Sequence, residues 1–164
     1  MERALERESV RRVVAALALV GIEDRVVALS DTARSAQDAA TALGCELGAI
    51  VKSLVFQIGD RAVMALVAGD RQCDTKALPG ILGLAGKCKR ADAEVVRMAT
   101  GFAIGGVAPV GHTSELPIAI DGSLNRFSRI FAAAGHPHCV FETTLTELVT
   151  VTGGVVDEEV SKNP

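Results

Sequence analysis

Two apolar runs of strand length, residues 49–58 and 61–68, stand back to back with only Gly59-Asp60 between them. No other stretch of the chain restricts its fold as strongly. Runs of this length joined by a two-residue turn predict an antiparallel hairpin, although Gly-Asp is a weaker turn signal than Asn-Gly. On the first strand Ile50, Lys52, Leu54 and Phe56 project to one face, and Val51, Ser53 and Val55 to the other. Both faces read as buried, so Lys52 sits on an apolar face whichever way the strand packs.

Around the hairpin the pattern is mixed. Val10, Val13, Val14 and Leu17 recur at helical spacing, Gly21 breaks that helix, and residues 24–29, with β-branched Val26 and Val27, read as a short strand. Ser30 or Asp31 is placed to cap a second helix over residues 33–43, which Gly44 stops. Short helices are expected over 76–84 and 91–98, flanking the segment 83–90. Strands are expected over 116–120, 128–133 and 139–142, and a last helix over 144–149. The polar tail 157–164 is expected to fray. Helices scattered among hairpin-like strands, without a regular βαβ alternation, predict the α+β class: one domain over residues 1–164, a mixed and mostly antiparallel sheet or barrel surrounded by helices.

Composition narrows the function. The chain has no Trp or Tyr and five Phe, so Val, Leu, Ile and Ala must fill the core and aromatic platforms for single-stranded nucleic acid are scarce. A formal net charge of −3 argues against coating DNA or any nucleic acid non-specifically, while leaving room for a local basic pocket. Cys45, Cys73, Cys88 and Cys139 are widely spaced with no C-x-x-C pair, which reads as reduced thiols in a cytoplasm. The apolar run 13–20 after Arg11-Arg12 imitates a signal peptide, but Glu2, Glu6 and Glu8 precede it and its spacing is helical. Charges interrupt every stretch of spanning length, so no membrane segment is expected.

Two features carry candidate chemistry. Lys52 either snorkels to water or meets an anionic or polar partner, because an unpaired buried charge is strongly unfavourable; a phosphate or carbonyl oxygen in a pocket would serve. The glycine-rich segment 101–112 contains Gly105-Gly106, where backbone can approach a ligand and turn its N–H groups inward, and Pro109, which fixes the following bend. Other motifs fail. The P-loop pattern would need Gly at the position of Ile81 and Ser or Thr at that of Cys88, and residues 101–106 miss G-x-G-x-x-G. His112, His136, His138 and Cys139 lack the spacing of a known zinc site, so no metal is expected. Ser53 and Ser128 lie outside G-x-S-x-G. Lys87, Lys89 and Arg90 form a solvated basic face, with docking of an acceptor stem as the alternative.

Taken in order, Ala39-Ala40 to Leu43-Gly44, Ile50-Val51-Lys52-Ser53-Leu54-Val55-Phe56, Gly69-Asp70, Asp74-Thr75-Lys76, Arg90-Ala91-Asp92 and Thr100-Gly101-Phe102 resemble the YbaK/prolyl-tRNA-synthetase-associated editing domain. The resemblance continues through Gly105-Gly106-Val107-Ala108-Pro109-Val110-Gly111-His112, Leu116-Pro117, Asp121, Ala134-Gly135 and Pro137-His138, spanning roughly residues 33–154. It implies a cofactor-free, metal-free, cytoplasmic enzyme that hydrolyses the ester of a mischarged tRNA, often tRNA for proline. The partner is the acceptor end of aminoacyl-tRNA, with an aminoacyl-tRNA synthetase as a further partner. By this analogy Lys52 is the family's functional lysine, and Gly105, followed by Gly106, opens a G-x-x-x-P loop ending at Pro109. Ser53, His112, Asp121, Ala133 and His138 complete the substrate site. Ser53 occupies a position that varies among Thr, Asn and Ser and leaves the amino acid open among Ala, Ser, Thr and Cys. Ala133 stands where some cysteinyl-tRNA deacylases carry serine, which counts against cysteine. The competing readings are a non-catalytic sensor of aminoacyl-tRNA or amino acid on the same fold, and a regulatory protein whose glycine loop is only structural.

Overall fold

The structure, a computed structural model, describes residues 4–30, 33 and 35–164. In chain order its elements are α1 (Glu8–Ala18), β1 (Val26–Ala28), α2 (Ala36–Leu43), β2 (Ile50–Ile58), β3 (Arg61–Ala68), β4 (Gln72–Cys73), α3 (Leu78–Leu82) and β5 (Cys88–Arg90). There follow α4 (Ala93–Thr100), β6 (Ile118–Asp121), β7 (Ile130–His136), β8 (Cys139–Thr143), α5 (Leu145–Thr152), β9 (Val155–Asp157) and β10 (Ser161–Lys162). The expected hairpin is β2–β3, in register from Val51↔Ala68 to Ile58↔Arg61, with Gly59 supplying the positive φ of 61° at the turn.

The main sheet runs β1-β8-β7-β2-β3-β6-β9, with β5 added to the far end of β2. The pairings of β2 with β7, β3 with β6 and β6 with β9 are parallel; the others among the described residues are antiparallel. This is the mixed, mostly antiparallel sheet of an α+β fold. It is open rather than barrel-like, since β1 and β9 end the strand order.

Strand alternation sorts the core. Val51 and Val55 of β2 and Met64 and Leu66 of β3 join Val10, Val13 and Leu17 of α1 and Phe102 on one face. Phe56 and Ile58 of β2 and Val63, Ala65 and Val67 of β3 meet Leu78 of α3 and Val160 on the other. A third group, Ala40 of α2 with Ile50 and Phe131, covers the start of β2. The hairpin is therefore buried on both faces.

Several local expectations shift. Helix α2 starts at Ala36, capped by the Ser35 hydroxyl, which accepts from the Asp38 amide at 3.0 Å; Ser30 lies five residues before that cap, and Asp31 lies outside the described residues. Helix α3 is shorter than 76–84 because the Asp74 carboxylate takes the Lys76 and Ala77 amides and Gly83 turns left-handed. Strand β5 arises inside the segment between the two short helices, since only its pairing with β2 marks it. The tail 157–164 does not fray: Val160 is fully buried and β10 pairs with β4. Arg71 fastens this end, donating from Nε to the Ser161 hydroxyl at 2.7 Å.

Candidate active site

The cavity that matters is a split in the sheet. Strand β2 pairs with β7 only at Ile50 and Val51, and with β5 only from Phe56 onward. Between those contacts its edge has no ladder partner among the described residues. The Val55 carbonyl accepts from the Ala91 amide at 3.3 Å, so by strand alternation the Ser53 amide and carbonyl turn toward the same open edge. The gap measures about 300 Å³ and is walled by Val51, Val55, Val96, Val107, Ala132 and Val140. Ala36 and Ala39 of α2, Gly105, Pro137 and Arg90 complete its rim and sides.

Of the residues singled out from sequence, Lys52, Ser53, Gly105 and Ala133 meet at this cavity. The Ser53 hydroxyl is buried and has no hydrogen-bond partner among the described residues. Gly105 is exposed at φ 99°, and a Cβ there would approach only the Pro137 ring, at 3.7 Å. Gly106 lies one residue deeper. Its amide donates to the Ala103 carbonyl at 3.1 Å, and its missing Cβ leaves room for the His136 backbone, which a side chain would meet at 2.9 Å.

The remaining candidates sit apart. Pro109 and His112 line a separate groove against Ala16 of α1 and Leu19, the residue that caps its end. The His112 Nε2 lies 2.7 Å from the Ala108 carbonyl, and burial pushes its pKa down. Asp121 is fully buried, accepting from the Ala68 amide at 3.0 Å and capping the following turn through the Ser123 amide at 2.9 Å. His138 follows the rim residue Pro137; its amide donates to His136 Nδ1 at 3.1 Å. Among the described residues no three His, Cys, Asp or Glu side chains gather as a metal site.

Lys52 and Ser53, adjacent in sequence, face opposite ways. The Lys52 ammonium crosses to the α3 side and donates to the Arg71 carbonyl at 2.5 Å. Burial lowers its pKa, while Asp70, Asp121 and Cys73 oppose that shift. Sequence reasoning did not separate the two neighbours, because alternation says that they face apart but not which face opens. It also left Arg90 on a solvated surface; Arg90 lines the cavity because β5 ends beside the gap. Ala36 and Ile104 carried no signal beyond apolarity, and Ala39 and Val107 entered only as members of the motifs that resemble the family.

A sequence model of the aminoacyl-tRNA editing domain matches residues 30–151, the segment that builds the split sheet and its glycine loop. A solved structure of a protein proposed as a trans-editing enzyme for prolyl-tRNA synthetase superimposes with a TM-score of 0.87 at 40% identity, covering 96% of this chain and 99% of that one. The YwhH protein of Bacillus subtilis (strain 168) is 32% identical over 127 residues, 77% of this chain and 80% of the relative. EbsC of Enterococcus faecalis, whose name proposes a Cys-tRNA(Pro)/Cys-tRNA(Cys) deacylase, is 28% identical over 137 residues, 82% of each chain. With a family match across most of its length and the same fold end to end, the chain belongs to the aminoacyl-tRNA editing domain family.

Proposed function

We propose that this protein is an aminoacyl-tRNA deacylase acting in trans, which removes a small amino acid from the 3′ end of a mischarged tRNA, with tRNA for proline as the first candidate. One observation carries the reading: the open edge of β2 at Ser53 and the exposed glycine Gly105 line one small cavity with aliphatic walls. The aminoacyl group enters the split, where Val51, Val55, Val96, Val107 and Ala133 admit a short side chain and exclude a long one, as one sieve of a double-sieve system. The Gly105 amide, free of backbone acceptors among the described residues, donates to the ester oxygen as negative charge develops there. Gly106, whose amide is taken by Ala103, acts by shaping the turn.

No protein nucleophile is required. Water adds to the ester carbonyl, guided by the neighbouring ribose hydroxyl, with proximity supplying much of the acceleration. The bond from the carbonyl carbon to the ribose oxygen then breaks, that oxygen takes the water-derived proton, and the amino acid leaves as its carboxylate after releasing a second proton to solvent. The Lys52 ammonium starts on the opposite face of β2 from the Ser53 hydroxyl, held by the Arg71 carbonyl. To touch a terminal phosphate or the carbonyl directly, the ammonium must exchange the Arg71 carbonyl for the substrate. Arg90 at the rim and exposed Lys89 on the same strand offer the phosphates a first contact.

Single-turnover hydrolysis of tRNA for proline charged with Ala, Ser, Thr, Cys or Pro tests the reading. The expected result is rapid release of at least one small amino acid, sparing of the prolyl ester, and unchanged rates after chelation. Absence of hydrolysis with the whole panel, accompanied by measurable tRNA affinity, would favour the non-catalytic sensor.

A further inference from the structure

We infer that Arg12, on the helix that precedes the family-matched segment, is a positioning residue for this reaction, because it closes the neck of the loop that carries Gly105. The inference rests on the proposed deacylase reading. From α1 the half-buried guanidinium donates Nη2–H to the Gly101 carbonyl at 2.8 Å and Nε–H to the Gly111 carbonyl at 3.2 Å. One planar cation thus joins the two ends of a loop whose exposed tip is Ala103-Ile104-Gly105. Its Cζ also lies 4.7 Å from the centroid of the Phe102 ring, which is 1% exposed.

The loop ends are shaped for this contact. Gly101 and Gly111 both sit at φ 78°, and a Cβ on Gly101 would fall 2.7 Å from Arg12 Nη2. On Gly111 it would fall 3.1 Å from the Arg12 carbonyl oxygen. The other ties are more local: the Thr113 amide to the Thr100 carbonyl at 3.3 Å and the Ser114 hydroxyl to the Ala99 carbonyl at 2.6 Å join the flanking turns, the Phe102 amide donates to the Thr100 hydroxyl at 3.0 Å, and His112 Nε2 lies 2.7 Å from the Ala108 carbonyl. Within the tip itself the Gly106 amide to Ala103 is the backbone bond present. Helix α1 can bear the strain because Val10, Val13 and Leu17 are fully buried in the main core. Lysine cannot replace the arrangement, since its point charge lacks the planar fork that satisfies two acceptors at once.

Arg12→Met and Arg12→Lys test this with two readouts. In Arg12→Met, hydrogen exchange at the hydrogen-bonded amides of Phe102 and Gly106 should accelerate at least about tenfold while β3 stays protected. The single-turnover rate constant should fall roughly thirtyfold, within the ~10²-fold that a misplacement on the order of 1 Å costs. The half-saturating tRNA concentration should change less than about threefold, a split that general loss of fold would not produce. Arg12→Lys should recover only a minor part of the rate. If Arg12→Met does not fold, Arg12→Lys supplies both readouts. Wild-type exchange in the loop, or a wild-type rate in either folded variant, overturns the inference. If the wild-type protein hydrolyses nothing on the panel, the deacylase reading fails, and loop exchange alone then decides whether Arg12 holds the neck.

Discussion

The two edges of β2 are paired very differently. Toward β3, every residue from Val51 to Ile58 has a ladder partner. Toward β7 and β5, pairing stops after Val51 and resumes at Phe56. The same apolar strand is a closed structural seam on one side and an open mouth on the other. Buried backbone groups are ordinarily paired, so polar groups left unpaired at a small cavity mark where a ligand is expected to supply the partner. The buried Ser53 hydroxyl, with no hydrogen-bond partner among the described residues, stands at the same place.

Hydrogen exchange gives the largest contrast. The Lys52 and Leu54 amides face β3, where Lys52 opposes Val67 and Leu54 opposes Ala65, and should exchange only on global opening. The Ser53 amide faces the gap and should exchange about 10³-fold faster, a gap that domain stabilities of this size allow. Equal protection of all three would mean that the split closes in solution.

Activity should separate the faces next. Lys52→Ala should lower single-turnover deacylation on the order of a hundredfold, the scale of one lost contact in a preorganised site. Its thermal unfolding should shift little, because the change also removes a cation that burial disfavours. Folded Lys52→Ala with full activity would remove Lys52 from the mechanism and leave the open edge alone as the site.

The adjacent glycines sharpen the distinction between a group that meets substrate and one that supports it. Gly105→Val should reduce turnover by roughly tenfold or more while the fold survives, since only Pro137 lies within 4 Å of its Cβ position but the branched side chain opposes positive φ. Gly106→Ala should instead cost about 1–3 kcal/mol of stability through overpacking against the His136 backbone. Denaturant melts and rates on both variants check this; reversed outcomes would exchange the two roles.

Much of the fold was legible because it depends on local chemistry. The apolar runs forecast β2 and β3, helical spacing forecast α1, and Thr144 with Glu147 forms the capping box that begins α5. What escaped depends on distant partners. Strand β5 carries the polar triplet Cys88-Lys89-Arg90, which only the edge of β2 makes a strand. The polar tail looked mobile because no composition rule foresees that Val160 enters the core beside Leu78. At the site, Lys52 and Gly105 stood out from the residues themselves and Ser53 joined them through the family resemblance, whereas Arg90 and Arg12 are defined by contacts made 30 or more residues away in sequence. The difference between Gly105 and Gly106 was equally hidden, since it turns on which amide the Ala103 carbonyl captures.

The smallest expected effect is a pH dependence that reports on the closed face alone. Burial holds the Lys52 pKa below the ordinary lysine value of 10.5, despite the opposing influence of Asp70, Asp121 and Cys73. Between the lowered folded value and 10.5 the unfolded chain therefore binds more protons at this residue than the folded chain. Stability contributed by Lys52 must rise with pH across that window. Cys73 acts in the opposite direction: its thiol, pushed from 9.0 up to about 12 chiefly by burial, stays protonated in the fold while the unfolded thiol ionises. Total stability can therefore fall above pH 9 even as the Lys52 contribution improves. Subtracting the two proteins leaves the lysine together with its mutual influence on Cys73, which is smaller than the burial of that thiol. Lys52→Met, under reducing conditions, should be more stable than wild type by the largest margin near neutral pH, and the margin should shrink as pH approaches 10.5. A margin that stays constant or widens with pH would show that the ammonium is not disfavoured by its surroundings, and the Arg71 carbonyl would then be its settled partner rather than one exchanged for substrate.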